Sequence, residues 1–195
     1  MVPTALNLKE ESRQRLVQFE KENKGPGKFV LLDCTRYDLS PTLTILGCTL
    51  WAALDPKDDD IHKWSVTDFK RISGFKPDDF RQAHKRDVHW LADSLAKLAR
   101  EEPDRRVLIM THHAPTMEGT RDPKFSGSED LNKSAFATEL VGGQCWDAER
   151  VKVWMFGHTH WNCDFVKENI RVVSNQRGYK SGSQGFMGTK VIEVD

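Results

Sequence analysis

Seven histidines occur in the chain, and four of them close two apolar runs. Val107-Leu108-Ile109-Met110-Thr111 leads into His112 and His113, and Val153-Trp154-Met155-Phe156-Gly157 leads into His158-Thr159-His160. Imidazole is a common metal ligand and a proton carrier near neutral pH. In an extended chain, residues two apart project to the same face, so His158 and His160 can aim at one point. Gly157 before them lets the backbone turn and leaves room beside the rings. Pro115 breaks the upstream run just past its histidines. A lone histidine at a strand end is ordinarily a satisfied core or surface residue. Two such pairs, each with its own turn signal, point to a metal or phosphate site at the carboxyl ends of neighbouring strands.

The elements that must position these rings follow from periodicity. Residues 8–23 read as a surface helix with a modest apolar stripe, closed by Lys24-Gly25-Pro26-Gly27. Residues 28–32 read as a strand reaching Asp33, which is either a turn residue or an acidic site residue. Residues 42–50 form the next strand, rich in β-branched and apolar types. The stretch 55–60 is acidic and reads as a solvated loop. Residues 77–100 form a long helix, with Phe80, His84, Val88, Leu91, Leu95 and Leu98 on one side. Pro77, Asp78 and Asp79 suit its first turn. The strand 106–111 follows directly and makes an α/β unit with the histidines at its tip. Residues 116–131 form a long polar loop of the kind that shapes or covers a site. A short helical piece is expected over 131–141. Strands near 163–167, 170–174 and 189–194 return antiparallel. Between the last two lies a phosphate-contact candidate, Arg177, with a plain surface arginine as the alternative. Asn175 beside it is a second substrate-binding candidate.

Two further histidines sit in Asp-x-His triplets. Asp60-Ile61-His62 falls in the charged loop. Asp87-Val88-His89 falls within the long helix, where residues two apart point roughly 200° from one another and cannot chelate one ion. Both triplets read as decoys. Cys163 lies close to His160 in sequence, and a small buried residue is its simpler role.

Composition sets the wider bounds. Twenty-nine basic residues balance 29 acidic ones for a formal net charge of zero, which argues against nucleic acid or an anionic membrane as partner. Four cysteines without regular spacing argue against a disulfide framework, and no run is long enough to span a membrane. A single cytoplasmic domain over residues 1–195 is expected.

Thr111-His112-His113-Ala114-Pro115 and Gly157-His158-Thr159-His160 resemble the last two motifs of the calcineurin-like metallophosphoesterases. Ile45-Leu46-Gly47-Cys48-Thr49-Leu50-Trp51 and Val172-Val173-Ser174-Asn175-Gln176-Arg177-Gly178-Tyr179 resemble phrases of one branch of that family. The resemblance runs from about residue 8 to the end. It implies an α/β fold, namely the second half of a two-layer β sandwich flanked by helices, truncated at the N-terminal side. The family's first three motifs, including the aspartate that bridges two metals, have no recognisable counterpart here.

The resemblance implies metal-dependent hydrolysis of a phosphate ester in a phosphate-containing small molecule. His158 and His160 would serve as metal ligands, and one of His112 and His113 would join them, with His113 favoured by its spacing to Pro115. Neutral imidazoles without a bridging carboxylate leave two adjacent dications uncompensated. At most one divalent ion per chain is therefore expected, with zinc favoured and manganese or iron as the other candidates. The alternative is a catalytically impaired remnant that acts as a binding or structural protein. Half of a sandwich would expose an apolar sheet face, so a homo-oligomer or a complementing N-terminal half is expected to cover it.

Overall fold

The structure, a computed structural model, describes residues 5–23, 25–125, 133–179 and 184–194. It opens with helix α1 (Ala5–Glu22), and strands β1 (Thr35–Asp38) and β2 (Leu43–Cys48) follow. Three helices come next: α2 (Asp59–Ser65), α3 (Thr67–Arg71) and the long α4 (Pro77–Glu101). Strands β3 (Arg106–Thr111), β4 (Val151–Met155), β5 (Cys163–Lys167) and β6 (Ile170–Ser174) complete the chain. All six strands join one sheet in the order β1-β2-β3-β4-β6-β5. The central four run parallel, and β1 and β5 pair antiparallel at the two edges. The α/β reading holds, with helices flanking the sheet.

Alternation along the strands sends side chains to two faces. On one face Leu46, Cys48, Val107, Ile109, Trp154 and Val172 pack with Leu91, Leu95 and Leu98 of α4. Each of these leucines is almost fully buried, a contribution of about 1.5–3 kcal/mol apiece. β4 carries one extra residue opposite β3, because Val107 faces Val151 while Leu108 faces Val153. That bulge lets both Val151 and Trp154 enter the helix-side core.

The opposite face holds Leu108, Val153 and Val173, with Ile45, Met110 and Met155 partly covered around them. Two expected strands lie against this face or elsewhere and join no ladder. Residues 28–32 are irregular. Leu32 instead lies flat on Gly47, so close that a Cβ at Gly47 would stand 2.6 Å from the Leu32 Cβ. An apolar run can satisfy its burial by crossing a sheet as well as by joining one. Residues 189–194 likewise form no strand, and Ile192 and Val194 pack onto the exposed-side cluster. The Val194 carbonyl there accepts from Arg106 Nη1 at 3.1 Å.

The acidic stretch after Trp51 is also more ordered than a solvated loop. Asp55 accepts from the Lys57 N–H at 3.0 Å and opens a helical turn, and Asp59 and Asp60 occupy the first turn of α2. Carboxylates there meet the positive end of the helix dipole. The helical piece expected over 131–141 is reduced to a 3-10 turn at Lys133–Ala135, and residues 131 and 132 lie outside the described residues. No helix among the described residues is long and apolar enough to cross a membrane.

Candidate metal centre

The parallel order brings the carboxyl ends of β2, β3 and β4 side by side, and backbone pairing continues past the strands. The Thr49 carbonyl accepts from the N–H groups of both His112 and His113, at 3.2 and 3.1 Å. The His112 carbonyl accepts from the Gly157 N–H at 3.0 Å. Both histidine motifs are thereby joined before any side chain is considered. An ideal Cβ at Gly157 would meet His112 only at 3.5 Å, ordinary contact, so the glycine is not demanded by crowding.

Three imidazoles gather at this junction. Ring centroids lie 4.2 Å apart for His113 and His158, 4.8 Å for His112 and His158, and 5.2 Å for His112 and His113. His113 is 2% exposed, and neither of its ring nitrogens has a hydrogen-bond partner. A buried polar group left this way costs about 1–3 kcal/mol, which a bound ligand would recover. Trp51 stacks on the ring at 5.8 Å and Phe80 meets it edge-on at 5.7 Å, which fixes its plane. His158 Nδ1 and His112 Nε2 share a hydrogen bond at 3.0 Å.

The second pair does not project from an extended chain. His158 and His160 both have left-handed backbone, at φ 68° and 54°. Non-glycine residues adopt this region at a cost, and such residues cluster at functional sites. Because the chain turns at each histidine, the rings diverge: His158 enters the cluster, while His160 meets Tyr179 edge-on at 4.4 Å. The His160 turn is held by Gln176, whose Oε1 accepts from the His160 N–H at 2.7 Å. Its Nε2 donates to Thr159 Oγ1 and to the Trp161 carbonyl, each at 3.1 Å.

Behind the cluster, Leu50 and Trp51 also turn left-handed, at φ 68° and 49°. Asp87, fully buried, accepts from the Leu50 N–H at 2.8 Å. His84 Nδ1 donates to the Leu50 carbonyl at 2.8 Å. The other Asp87 oxygen accepts from Arg86 Nε and Nη2 at 2.9 and 2.6 Å and from Cys34 Sγ at 3.4 Å. The triplet read as a decoy thus holds a brace in Asp87, while His89 is exposed beside Asp93. In the other triplet His62 is buried and bonds Ser134 Oγ through Nε2 at 3.3 Å.

Ser65–Asp68, Ala135, Phe136 and Tyr179 wall a cleft of about 430 Å³ in front of His112, His158 and His160. Removal from water lowers the pKa of all three clustered imidazoles. His158 falls to about 4, with the His112 and His160 rings adding to the effect, and His113 falls well below its ordinary value. His112 is also lowered by its removal from water, opposed by the Asp68 carboxylate. All three are therefore neutral at pH 7, the form that donates to a metal. Among the described residues, however, no three His, Cys, Asp or Glu side chains are arranged as a ligand set, and the His112–His158 hydrogen bond engages two of the donor atoms. The donor chemistry fits a divalent ion, and the arrangement stops short of a formed cage.

The phosphate-contact candidates lie apart from the cleft walls. Arg177 is exposed, and Asn175 is engaged with Met187, donating to its carbonyl at 2.8 Å and accepting from its N–H at 3.0 Å. Asp33 pairs with Arg13 at 2.8 Å, and Cys163 Sγ contacts Ser174 Oγ at 3.3 Å, both away from the cleft. The described part of the long loop, 116–125, contributes nothing to the walls. Asp68 and Gln176 escaped sequence reading, and Asp87 was considered there only as half of a chelating triplet and set aside. Only Asp87 left a signal, an acidic residue three positions after His84 on the apolar side of a helix.

A mostly parallel sheet flanked by helices, with imidazoles at its carboxyl edge, makes the chain an α/β fold. The same fold is found in the crystal structure of phosphopantetheinyl hydrolase from Mycobacterium tuberculosis, at a TM-score of 0.50 and 14% identity over 70% of this chain and 50% of that one. An uncharacterized protein, L509, of Acanthamoeba polyphaga mimivirus is 26% identical over 176 residues, 85% of this chain. The chain spans 60% of the length of that relative. No family model matches the sequence.

Proposed function

We propose that the chain is a metallophosphoesterase-like protein that uses one divalent ion, zinc, manganese or iron, to hydrolyse a phosphate ester at the histidine cleft. The observation that carries this reading is His113, a neutral, buried imidazole with both ring nitrogens unpartnered among two other imidazoles. His113 and His158 would hold the ion, with His112 or His160 as the third donor. When bound, the ion supplies Lewis acidity toward the phosphoryl oxygens and offsets their charge. The described cleft walls include no lysine or arginine, so the ion would be the cation that meets the phosphoryl group. Trp51 and Phe80 keep water from one side of His113, and the Gln176-held turn orients His160.

A second reading, a binding protein without turnover, is favoured by the unformed ligand set and by the His112–His158 hydrogen bond. Turnover of an aryl phosphate and an aryl phosphodiester, with zinc or manganese supplied, separates the two. Metal-dependent hydrolysis that is lost in the double variant His158→Ala, His160→Ala establishes the hydrolase. Metal binding with no hydrolysis leaves the binding protein. Hydrolysis that survives the double variant removes the histidine cleft from the chemistry.

A further inference from the structure

Between β3 and β4, the strap 133–138 supplies Ala135 and Phe136 to the cleft wall and is tied down at several points. Ser134 Oγ accepts from the Asp55 N–H at 3.3 Å and meets His62 Nε2 at 3.3 Å. Thr138 Oγ1 accepts from the Ala53 N–H at 2.9 Å, and Ala137 bridges to Ala114 through the main chain. Ser134, Ala135, Ala137 and Thr138 are buried, whereas the Phe136 ring between them stays exposed. The fold thus holds a large apolar ring in the cleft, against His158 at 5.0 Å with the planes 33° apart. Tyr179 comes from a different part of the chain, just after the left-handed Gly178 (φ 67°). It lines the same cleft, meets the His160 ring edge-on and is 82% exposed. Neither ring belongs to a hydrophobic cluster of the described core. A cleft of about 430 Å³ suits a small molecule, and flat rings in its wall favour a flat ring over an aliphatic group of equal bulk.

We propose that the cleft binds a small ligand through a planar aromatic group, which Phe136 and Tyr179 recognise by ring contact. For an ester substrate this rests on the hydrolase reading above and places the aromatic group in the alcohol part. The ring contact itself requires no metal ion. No lysine or arginine stands in the described walls to select an anion, so ring contact is the most specific recognition those walls offer. The tied strap sets Phe136 before any ligand arrives, which reduces the ordering cost of binding.

Titration of the metal-free full chain with 2-naphthol and with decahydro-2-naphthol, followed by NMR, tests this. The two alcohols share a carbon skeleton and differ in planarity, so the ratio of their affinities reads ring contact apart from bulk. 2-Naphthol is expected to bind about 3- to 10-fold more tightly and to shift the ring signals of Phe136 and Tyr179. Phe136→Leu and Tyr179→Leu keep apolar bulk at exposed positions. Each is expected to reduce the preference by about half or more, with the melting temperature of the parent retained. Equal affinities for the two alcohols, binding of neither, or a preference that survives both substitutions would overturn the assignment. Turnover of 2-naphthyl phosphate with manganese supplied reads the hydrolase separately. A ring preference without turnover leaves this subsite standing and removes the hydrolase, and turnover without a ring preference does the reverse.

Discussion

The two histidine pairs reach the same cleft by different means. His112 and His113 follow directly from β3 and are held by main-chain bonds to Thr49, with Asp87 and His84 bracing the neighbouring turn from beneath. His158 and His160 follow β4 through two left-handed turns, the first tied to His112 by the Gly157 N–H and its own ring and the second held by a half-buried side chain, Gln176. The first pair is a product of the core, and the second is a loop held by a strut.

The largest effect is expected where the first pair meets the core. Asp87→Ala leaves the Leu50 N–H buried without an acceptor and leaves Arg86 only its longer contact with Asp33, at 3.8 Å. A loss of about 3 kcal/mol or more in urea denaturation is expected. A loss below about 1 kcal/mol would show that the Leu50–Trp51 turn beneath His113 holds without its brace.

Acid should act next, again through buried rings. His113 and His158 are depressed in the folded chain, His158 to about 4, while an unfolded histidine titrates near 6.5. Between those values the unfolded state binds protons that the folded state refuses. The contribution is fully present above pH 6.5 and is lost as pH falls toward 4. For the metal-free protein, denaturation midpoints are expected to drop by the equivalent of about 2 kcal/mol between pH 6.5 and 5, after discounting the partial exposure of His158. A flat profile over that range would count against burial of the cluster.

Gln176→Ala should have the smallest effect and sharpen the contrast most. It removes hydrogen bonds from a half-exposed turn, at about 1 kcal/mol. Ring signals of His160 in NMR spectra are expected to move while those of His113 stay in place. Equal movement of both rings would mean that the two pairs are one rigid unit after all.

Much of the frame was legible because it is local. Strand 106–111 was read with its observed bounds, and the helix 77–100 and the strands 163–167 and 170–174 were read almost to the residue, since periodicity and turn residues operate over short distances. Residues 28–32 and 189–194 were misread for the same reason. An apolar run announces burial, but whether it joins a ladder or lies across a face depends on a distant partner such as Gly47. The extended geometry expected for His158-Thr159-His160 failed where hydrogen bonds from Gln176, 16 residues onward, settled the turn.

By itself, the sequence determined an α/β chain with two histidine pairs closing two strands, because strand patterning and residue type need no neighbours. Only the tertiary structure decided that His112, His113 and His158 share one junction, that Asp87 stands under it 37 residues from the Leu50 it holds, and that Asp68 lines the cleft in front of it. Parallel pairing of β2, β3 and β4 makes neighbours of strand ends that lie tens of residues apart, and buried polar groups then take whichever partners that pairing brings within reach.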